Sequence, residues 1–341
     1  MNGARPPAMS DVAALAGVSH QTVSRVLNEH PSVRPETRER VLEAIATLGY
    51  RRNVAARTLV TRRSDTIGVI TSASDLFGPI STLIAVEHAA REHGLFVSVA
   101  SVTDFSGEAM RHTLEHFMAQ GVDGVVVIAA GDDAIEAART FDAPVPVVAV
   151  GPSDLPAGTV HTVAVDHYTG ARLATRHLLD LGHTRIGHLA GPQDWVDGRE
   201  RLRGWRDEMA DAGLSPAEPM MCDWSADCGY RVGRELVADP ERPTALFTGN
   251  DQLALGVVHA CTEAGVRVPE DLSVVGFDDI AGAAHFSPPL TTVRQEFDTL
   301  GRACLRQLRA LLAGEQVDPQ SIGPSLVVRR STAPPRAPQR A

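Results

Sequence analysis

His20, Gln21 and Arg25 stand in the run HQTVSRVLN, where their types and spacing suit the reading of base edges. Glutamine can bond bidentately to adenine, histidine can donate to guanine N7 or O6, and an arginine one turn on reaches guanine or a phosphate. Ser19, Thr22, Ser24 and Asn28 around them carry short polar groups suited to phosphate oxygens, and Ser24 could equally be a helix-packing hydroxyl. A second set is scattered along the chain, each member at the end of a strand-like run or the start of a helical one. Asp278 could accept two hydroxyls of a sugar or cap the next turn, and Asn250 suits one hydroxyl while Asp251 caps the following helix. Arg199 can fork onto adjacent oxygens or stand as a surface charge. Trp224 offers a flat face to a pyranose or a plug to a core. Leu76, Phe77 and Phe297 would form an apolar wall, with Ser72 adding a hydroxyl.

Other pairings carry less. His112 and His116 have helical i, i+4 spacing but no third ligand, so no metal is expected. Asp278 and Asp279 are neighbours on a strand and point to opposite faces, which argues against a catalytic carboxylate pair. With no GxSxG, phosphate-binding P-loop or GxGxxG, no enzymatic activity and no cofactor are expected.

The elements that position the first set are two short helices around a tight turn. Ser10 is the expected cap of Asp11–Ala16, Gly17 supplies the positive φ of the turn, and Ser19 caps His20–Leu27. Val23, Val26 and Leu27 would face Val12 and Leu15, which leaves His20, Gln21, Ser24, Arg25 and Asn28 outward. Pro35 opens a third helix to about Leu48, with Val41, Leu42, Ile45 and Leu48 as its apolar stripe. This is a helix-turn-helix head whose second helix enters a major groove.

From Thr66 onward, apolar runs alternate with amphipathic helices, the pattern of parallel sheets covered on both faces. Strands are expected at 66–72, 96–100, 124–129 and 145–150. The pattern restarts at 163–166 and continues through 185–191, 244–249 and 272–279, and a strand near 325–328 returns to the first half. Two such α/β lobes crossed by one chain make a clamshell, with ligand at the carboxyl ends of the strands.

The wording DVAALAGVSHQTVSRVLN resembles the LacI/GalR family of bacterial repressors almost residue for residue. The resemblance extends over about residues 10–330 and implies a periplasmic-binding-protein-like core behind the head. It assigns His20, Gln21 and Arg25 to bases, and it implies a hinge helix over Asn53–Leu59 that folds when two copies pair in the minor groove. There Leu59 would wedge the central step, with Val54 and Ala55 near the partner copy. Arg52 stands where many relatives have proline, and Gly151 where the family pocket often has an aspartate. A tryptophan in the same motif of the family pocket supports Trp224 as a pocket residue.

The expected organisation is a head at 1–63, an effector and dimerisation core at 64–331, and a disordered tail at 332–341. Lobe 1 takes about 64–163 and 294–328, and lobe 2 about 164–291. The Pro-rich tail has no leucine heptads, so a dimer is expected rather than a coiled-coil tetramer. The implied function is repression of carbohydrate-use genes from a near-palindromic operator, with release by a sugar or glycoside. A purine-like corepressor that tightens DNA binding is the alternative.

Charge fits this division. The net charge is −10, yet residues 1–63 hold ten arginines against five acidic residues, and lysine is absent. A basic head on an acidic body is the electrostatic footprint of a DNA-binding module. The four cysteines show no metal spacing. A Cys222–Cys228 disulfide is open, but buried free thiols in a reducing cytoplasm are the expectation. No stretch has the length or apolarity of a membrane span or export signal.

Overall fold

The computed structural model describes residues 5, 7–28, 30–50, 63–129, 131–140, 143–152 and 160–336. The chain divides into two compact units, Met1–Ser64 and Asp65–Ala341. The expected hinge, including Arg52, Asn53, Val54, Ala55 and Leu59, lies outside the described residues.

The head holds α1 (Met9–Ala16), α2 (His20–Leu27) and α3 (Pro35–Leu48). Helix α1 begins earlier than Ser10. The Asp11 carboxylate accepts from the Ala8 N–H at 2.8 Å, so the acid at the third helical position supplies the cap. Gly17 takes φ 63°, a conformation in which a side chain would be strained. Ser19 caps α2, its Oγ accepting from the Thr22 N–H at 3.1 Å. Val12, Ala13, Ala16, Val23, Val26, Val41 and Ala44 form the core, joined by Tyr50. Leu15 and Leu42 are 54% and 51% exposed, against expectation. The helices meet through the small side chains of Ala13, Ala16 and Ala44, which moves the contact line off the leucines.

The larger unit contains two six-stranded sheets. In the first, the strands lie in the order β11 (Gln320–Ile322), β5 (Val160–Val165), β4 (Val147–Val150), β3 (Gly124–Ile128), β1 (Thr66–Ser72), β2 (Phe96–Val102). Helices α4 (Phe77–Glu92) and α11 (Phe297–Leu312) cover one face, and α5 (Gly107–Gln120) and α6 (Asp132–Arg139) the other. In the second, the order is β12 (Ser325–Val327), β10 (Thr291–Arg294), β9 (Ser273–Asp278), β8 (Ala245–Thr248), β6 (Ile186–Ala190), β7 (Met220–Met221). Here α9 (Ala226–Ala238) and α10 (Asp251–Glu263) cover one face, and α7 (His167–Asp180) and α8 (Val196–Asp211) the other. Within the two sheets, all described strand pairings are parallel except β10 with β12. Continuous runs such as Val125–Val127 are buried on both faces, as parallel sheets require.

The chain crosses between lobes near Asp166, Gln295 and Gly323. Three expectations are corrected here. Residues 163–165 belong to the first sheet instead of opening the second, because β5 continues the parallel ladder from β4. The strand at 325–327 pairs with β10 in the second sheet, and it is β11 that joins the first. The segment 332–336 is docked on lobe 2 rather than disordered. The Ala333 N–H donates to Ser273 Oγ at 3.0 Å, Thr332 Oγ1 lies 3.0 Å from His177 Nε2, and Arg336 donates to Asp271 at 2.7 Å. Polar bonds hold this strap, so apolar periodicity could not reveal it.

A fourth correction concerns thiols. Cys222 and Cys228 form a disulfide, because the end of β7 and the first turn of α9 bring their Cα atoms to 5.8 Å. Cys261 and Cys304 are free and buried.

Candidate functional site

On the head, Ser19, His20, Gln21, Arg25 and Asn28 are exposed, and Thr22 and Ser24 half-buried, on α2 and its caps. Val23 and Val26 anchor the same helix in the core. Thr22 Oγ1 lies 2.9 Å from Ser19 Oγ, so these two hydroxyls serve the cap. His20, Gln21 and Arg25 are left as the outward chemistry of the helix.

In the larger unit, a cleft of about 690 Å³ opens between the lobes, a size suited to a small ligand. Its first wall is the carboxyl ends of β3, β4 and β5, at Ile128, Val150 and Val165. Opposite stand His167, Asp197 and Arg199, while Gln295 and Phe297 line it at a crossing. Gly151 lines the cleft where an acidic side chain would have supplied an acceptor. Phe77 meets Phe297 edge to face at 5.7 Å, bringing two expected wall residues together. Leu76 packs instead against the lobe 2 cluster that contains Trp224. Ser72 is half-buried, its hydroxyl 3.0 Å from that of Ser74.

Trp224, Asn250 and Asp278 lie deeper, at the ends of the lobe 2 strands, and none is more than 8% exposed. A Cβ at Gly191 would sit 2.1 Å from the Trp224 ring, so only glycine lets the indole cover the end of β6. Asn250, rather than Asp251, caps α10. Its Oδ1 accepts from the Leu253 N–H at 2.8 Å and its Nδ2 donates to the Trp224 carbonyl at 3.1 Å. Asp251 faces inward, accepting from Thr292 Oγ1 at 2.6 Å and from the Ile280 N–H at 2.9 Å. Burial and the charge of Asp278 push its carboxyl up to about 8.

Sequence reasoning missed the group that ties this cluster together. Arg201 is 3% exposed, with its guanidinium 3.8 Å from the Phe277 ring and 5.3 Å from that of Trp224. It donates to the Gly249 carbonyl at 2.5 Å and lies 3.8 Å from Asp278 and 3.7 Å from Asp197. His167 bridges the same groups, its Nδ1 3.2 Å from Arg201 Nη2 and its Nε2 3.2 Å from Asp197. Burial opposes ionisation of Asp197, but His167 and Arg201 outweigh it and hold the carboxyl down to about 2. Burial pushes Asp278 up to about 6, against the pull of Arg201 and the bond that Gln295 Nε2 donates at 2.7 Å. Asp278 also takes φ 116°, a strained conformation for a residue with a side chain. Such strain is concentrated at binding sites. Gln295 and His167 give this buried network an outlet, since both line the cleft.

Arg199 stands at the mouth. Nη1 and Nη2 donate to the two Asp132 oxygens at 2.8 and 2.6 Å, and Nη1 also donates to the Gln193 carbonyl at 2.7 Å. Asp132 belongs to lobe 1, so this pair joins the lobes. The Asp132 N–H reinforces it, donating to the Asp194 carbonyl at 3.0 Å. The arrangement can hold a polar ligand between the walls of the two lobes. Among the described residues there is no group of three metal-ligating side chains. No described helix is long and apolar enough to cross a membrane.

Residues 8–53 match the model of bacterial regulatory proteins of the lacI family, and residues 175–332 match a periplasmic binding protein-like domain. The chain is 38% identical over 336 residues to the lactose operon repressor of Escherichia coli (strain K12), covering 97% of this chain and 92% of that protein. The chain belongs to the lacI family.

Another relative is the HTH-type transcriptional regulator CelR of Thermobifida fusca, 38% identical over 327 residues, covering 94% of this chain and 96% of CelR. Among solved structures, the lac repressor dimer bound to operator and the anti-inducer ONPF superposes with a TM-score of 0.85 at 36% identity. That match covers 96% of this chain and all of that one. A CelR–cellobiose complex superposes with a TM-score of 0.70 at 35% identity, covering 95% of this chain and 99% of that one. These relatives are transcriptional regulators, and the lacI family architecture of head and two-lobed core accounts for both units of this chain.

Proposed function

We propose that this protein is a homodimeric, cytoplasmic repressor of carbohydrate-use genes, released from a near-palindromic operator by a sugar or glycoside. The observation that carries the reading is the pairing of an outward, base-reading α2 face with an interlobe cleft whose lining residues His167 and Gln295 bond to the buried Arg201–Asp278 pair beside Trp224. His20, Gln21 and Arg25 read bases, and Ser19, Thr22, Ser24 and Asn28 approach phosphates. Asn53 and Leu59 serve a hinge that pairs in the minor groove. One head supplies about 1–3 kcal/mol of discrimination per good base contact, too little for an operator, so a two-fold pair is needed. Apolar Ile84 on α4, Phe96 and Val99 on β2, and Leu255 on α10 are exposed and offer a second copy its docking surface.

Sugar enters between Phe297 and Phe77 on one side and the polar lobe 2 groups on the other. Asp278, Asn250 and Gln295 engage hydroxyls, Trp224 presents its ring face, and Leu76, Ser72 and Arg199 border the opening. Closure then moves the lobe 1 surfaces of the dimer and melts the hinge. The protein changes no bond in its ligand.

A second reading has specific support. Relatives named PurR match at 32–34% identity over most of the chain, which favours a purine-type corepressor as the competing class. The test is operator binding at fixed salt, on a duplex selected by the purified protein, titrated with monosaccharides, glycosides and purines. Release by a sugar is expected. Tightening by a purine, with no sugar effect, would establish the second reading instead.

A further inference from the structure

The disulfide occupies a place that the sugar reading does not use. Cys222 continues β7, its N–H donating to the Ala190 carbonyl at 2.9 Å, and Cys228 lies in the first turn of α9. The bridge therefore clasps the short loop that carries Trp224. That indole is packed against Gly191, Trp195 and the Arg201 guanidinium, and its buried N–H has no hydrogen-bond partner among the described residues.

Cys228 has the surroundings of a reactive sulfur. Its N–H donates to the capping Ser225 Oγ at 3.1 Å, and Arg231 Nη2 lies 3.1 Å from its Sγ. A helix N-terminus and a guanidinium both favour thiolate. The other two cysteines provide an internal contrast, since burial pushes Cys261 up to about 11 and Cys304 up to about 12. Both bridged sulfurs are buried, but Met221 and Asp223, on either side of Cys222, are exposed, so the pair lies one layer below solvent.

We propose that Cys222 and Cys228 are a reversible dithiol–disulfide pair whose oxidation state sets how firmly Trp224 is held against Arg201, behind the effector cleft. The couple stands on its own geometry, and only its effect on ligand response rests on the sugar reading. In oxidation by a peroxide, the Cys228 thiolate attacks one oxygen, the O–O bond breaks, and the departing hydroxide leaves as water after taking up a proton. The Cys222 sulfur then attacks the resulting sulfenic acid, forms the S–S bond, loses its proton and displaces a second water. Two thiols and one hydrogen peroxide thus give one disulfide and two waters. A dithiol reductant reverses the state by thiol–disulfide exchange and leaves as its own disulfide. Arg231 stabilises Cys228 both as the attacking thiolate and as the leaving one.

The experiment uses the full chain, reduced with dithiothreitol, exposed to hydrogen peroxide and then reduced again. Maleimide labelling with peptide mass analysis counts thiols, and the Trp224 part of the tryptophan emission, isolated by comparison with Trp224→Phe, reports on the packing of that indole. Cys222 and Cys228 are expected to lose and regain their thiols together while Cys261 and Cys304 remain thiols throughout, with emission following the couple. Arg231→Met should slow oxidation about tenfold, and Cys261→Ser should leave the cycle unchanged. Cellobiose titration of the two states should give affinities that differ about fivefold, the size of a weak allosteric coupling. Thiols that fail to cycle, or cycle without any change in emission, would overturn the inference. If emission follows the couple but cellobiose binds in neither state, the coupling to that ligand fails while the redox pair stands.

Discussion

Arg199 in the first turn of α8 forks onto Asp132 at the start of α6, a two-oxygen ion pair at 2.6 and 2.8 Å that spans the mouth of the cleft. Its partners are 40% and 58% exposed, so its weight is that of a surface pair, up to about 1 kcal/mol. The position matters more than the weight, because the bond exists only while the lobes are close.

Asp132→Asn should therefore leave unfolding stability nearly unchanged and raise the sugar concentration for half-release from operator about two- to fivefold. The difference should shrink at high salt. Titrations at two ionic strengths check this, and an unchanged midpoint would mean that the pair does not contribute to closure.

Asp251 and Asp278 make the regulatory unit sensitive to alkali. Both carboxyls have folded values above the usual 3.8, at about 8 and about 6. The folded state therefore holds protons that the unfolded chain has released. The associated stability is full below pH about 4 and is lost as pH rises through 6 and then 8. Asp251→Asn keeps an acceptor toward Thr292 or Ile280 and removes the titration. Its melting temperature should equal or trail the wild type at pH 5 and gain on it steadily to pH 9. Parallel curves would contradict the assignment.

On the head, Gln21→Ala or Arg25→Ala should cost about 1–3 kcal/mol in operator affinity and relax preference at one position of each half-site. Ser19→Ala should act differently. It removes the α2 cap and about 0.5–2 kcal/mol of head stability, weakening operator and unrelated DNA alike. Binding to randomised half-sites separates the two patterns.

Much of this architecture is legible in the chain because it rests on local chemistry. Ser19, Gly17 and Pro35 mark helix ends by backbone requirements, and runs such as Val125–Val127 betray buried parallel strands. The buried cluster was harder to read. Arg199, Arg201 and Arg203 share one stretch of α8, and only tertiary partners decide that Arg201 turns inward to Phe277 and Gly249 while Arg199 meets Asp132. Adjacent charges on a helix carry no mark of which one a fold will bury. The 332–336 strap escaped for a related reason, as hydroxyl and backbone bonds to Ser273 and His183 hold it without an apolar pattern. The Cys222–Cys228 bridge needed the closeness of β7 and α9, which spacing alone left open.

The central claim is that ligand in the cleft lowers affinity at the head. Its most direct test is operator affinity with and without the releasing sugar, measured in the wild type and in Asp278→Asn. A coupling of about 1–3 kcal/mol predicts a loss of roughly 5- to 150-fold in the wild type. Asp278→Asn should bind operator normally and need far more sugar for the same loss. Equal responses from the two proteins, or operator binding that no sugar alters, would contradict the account.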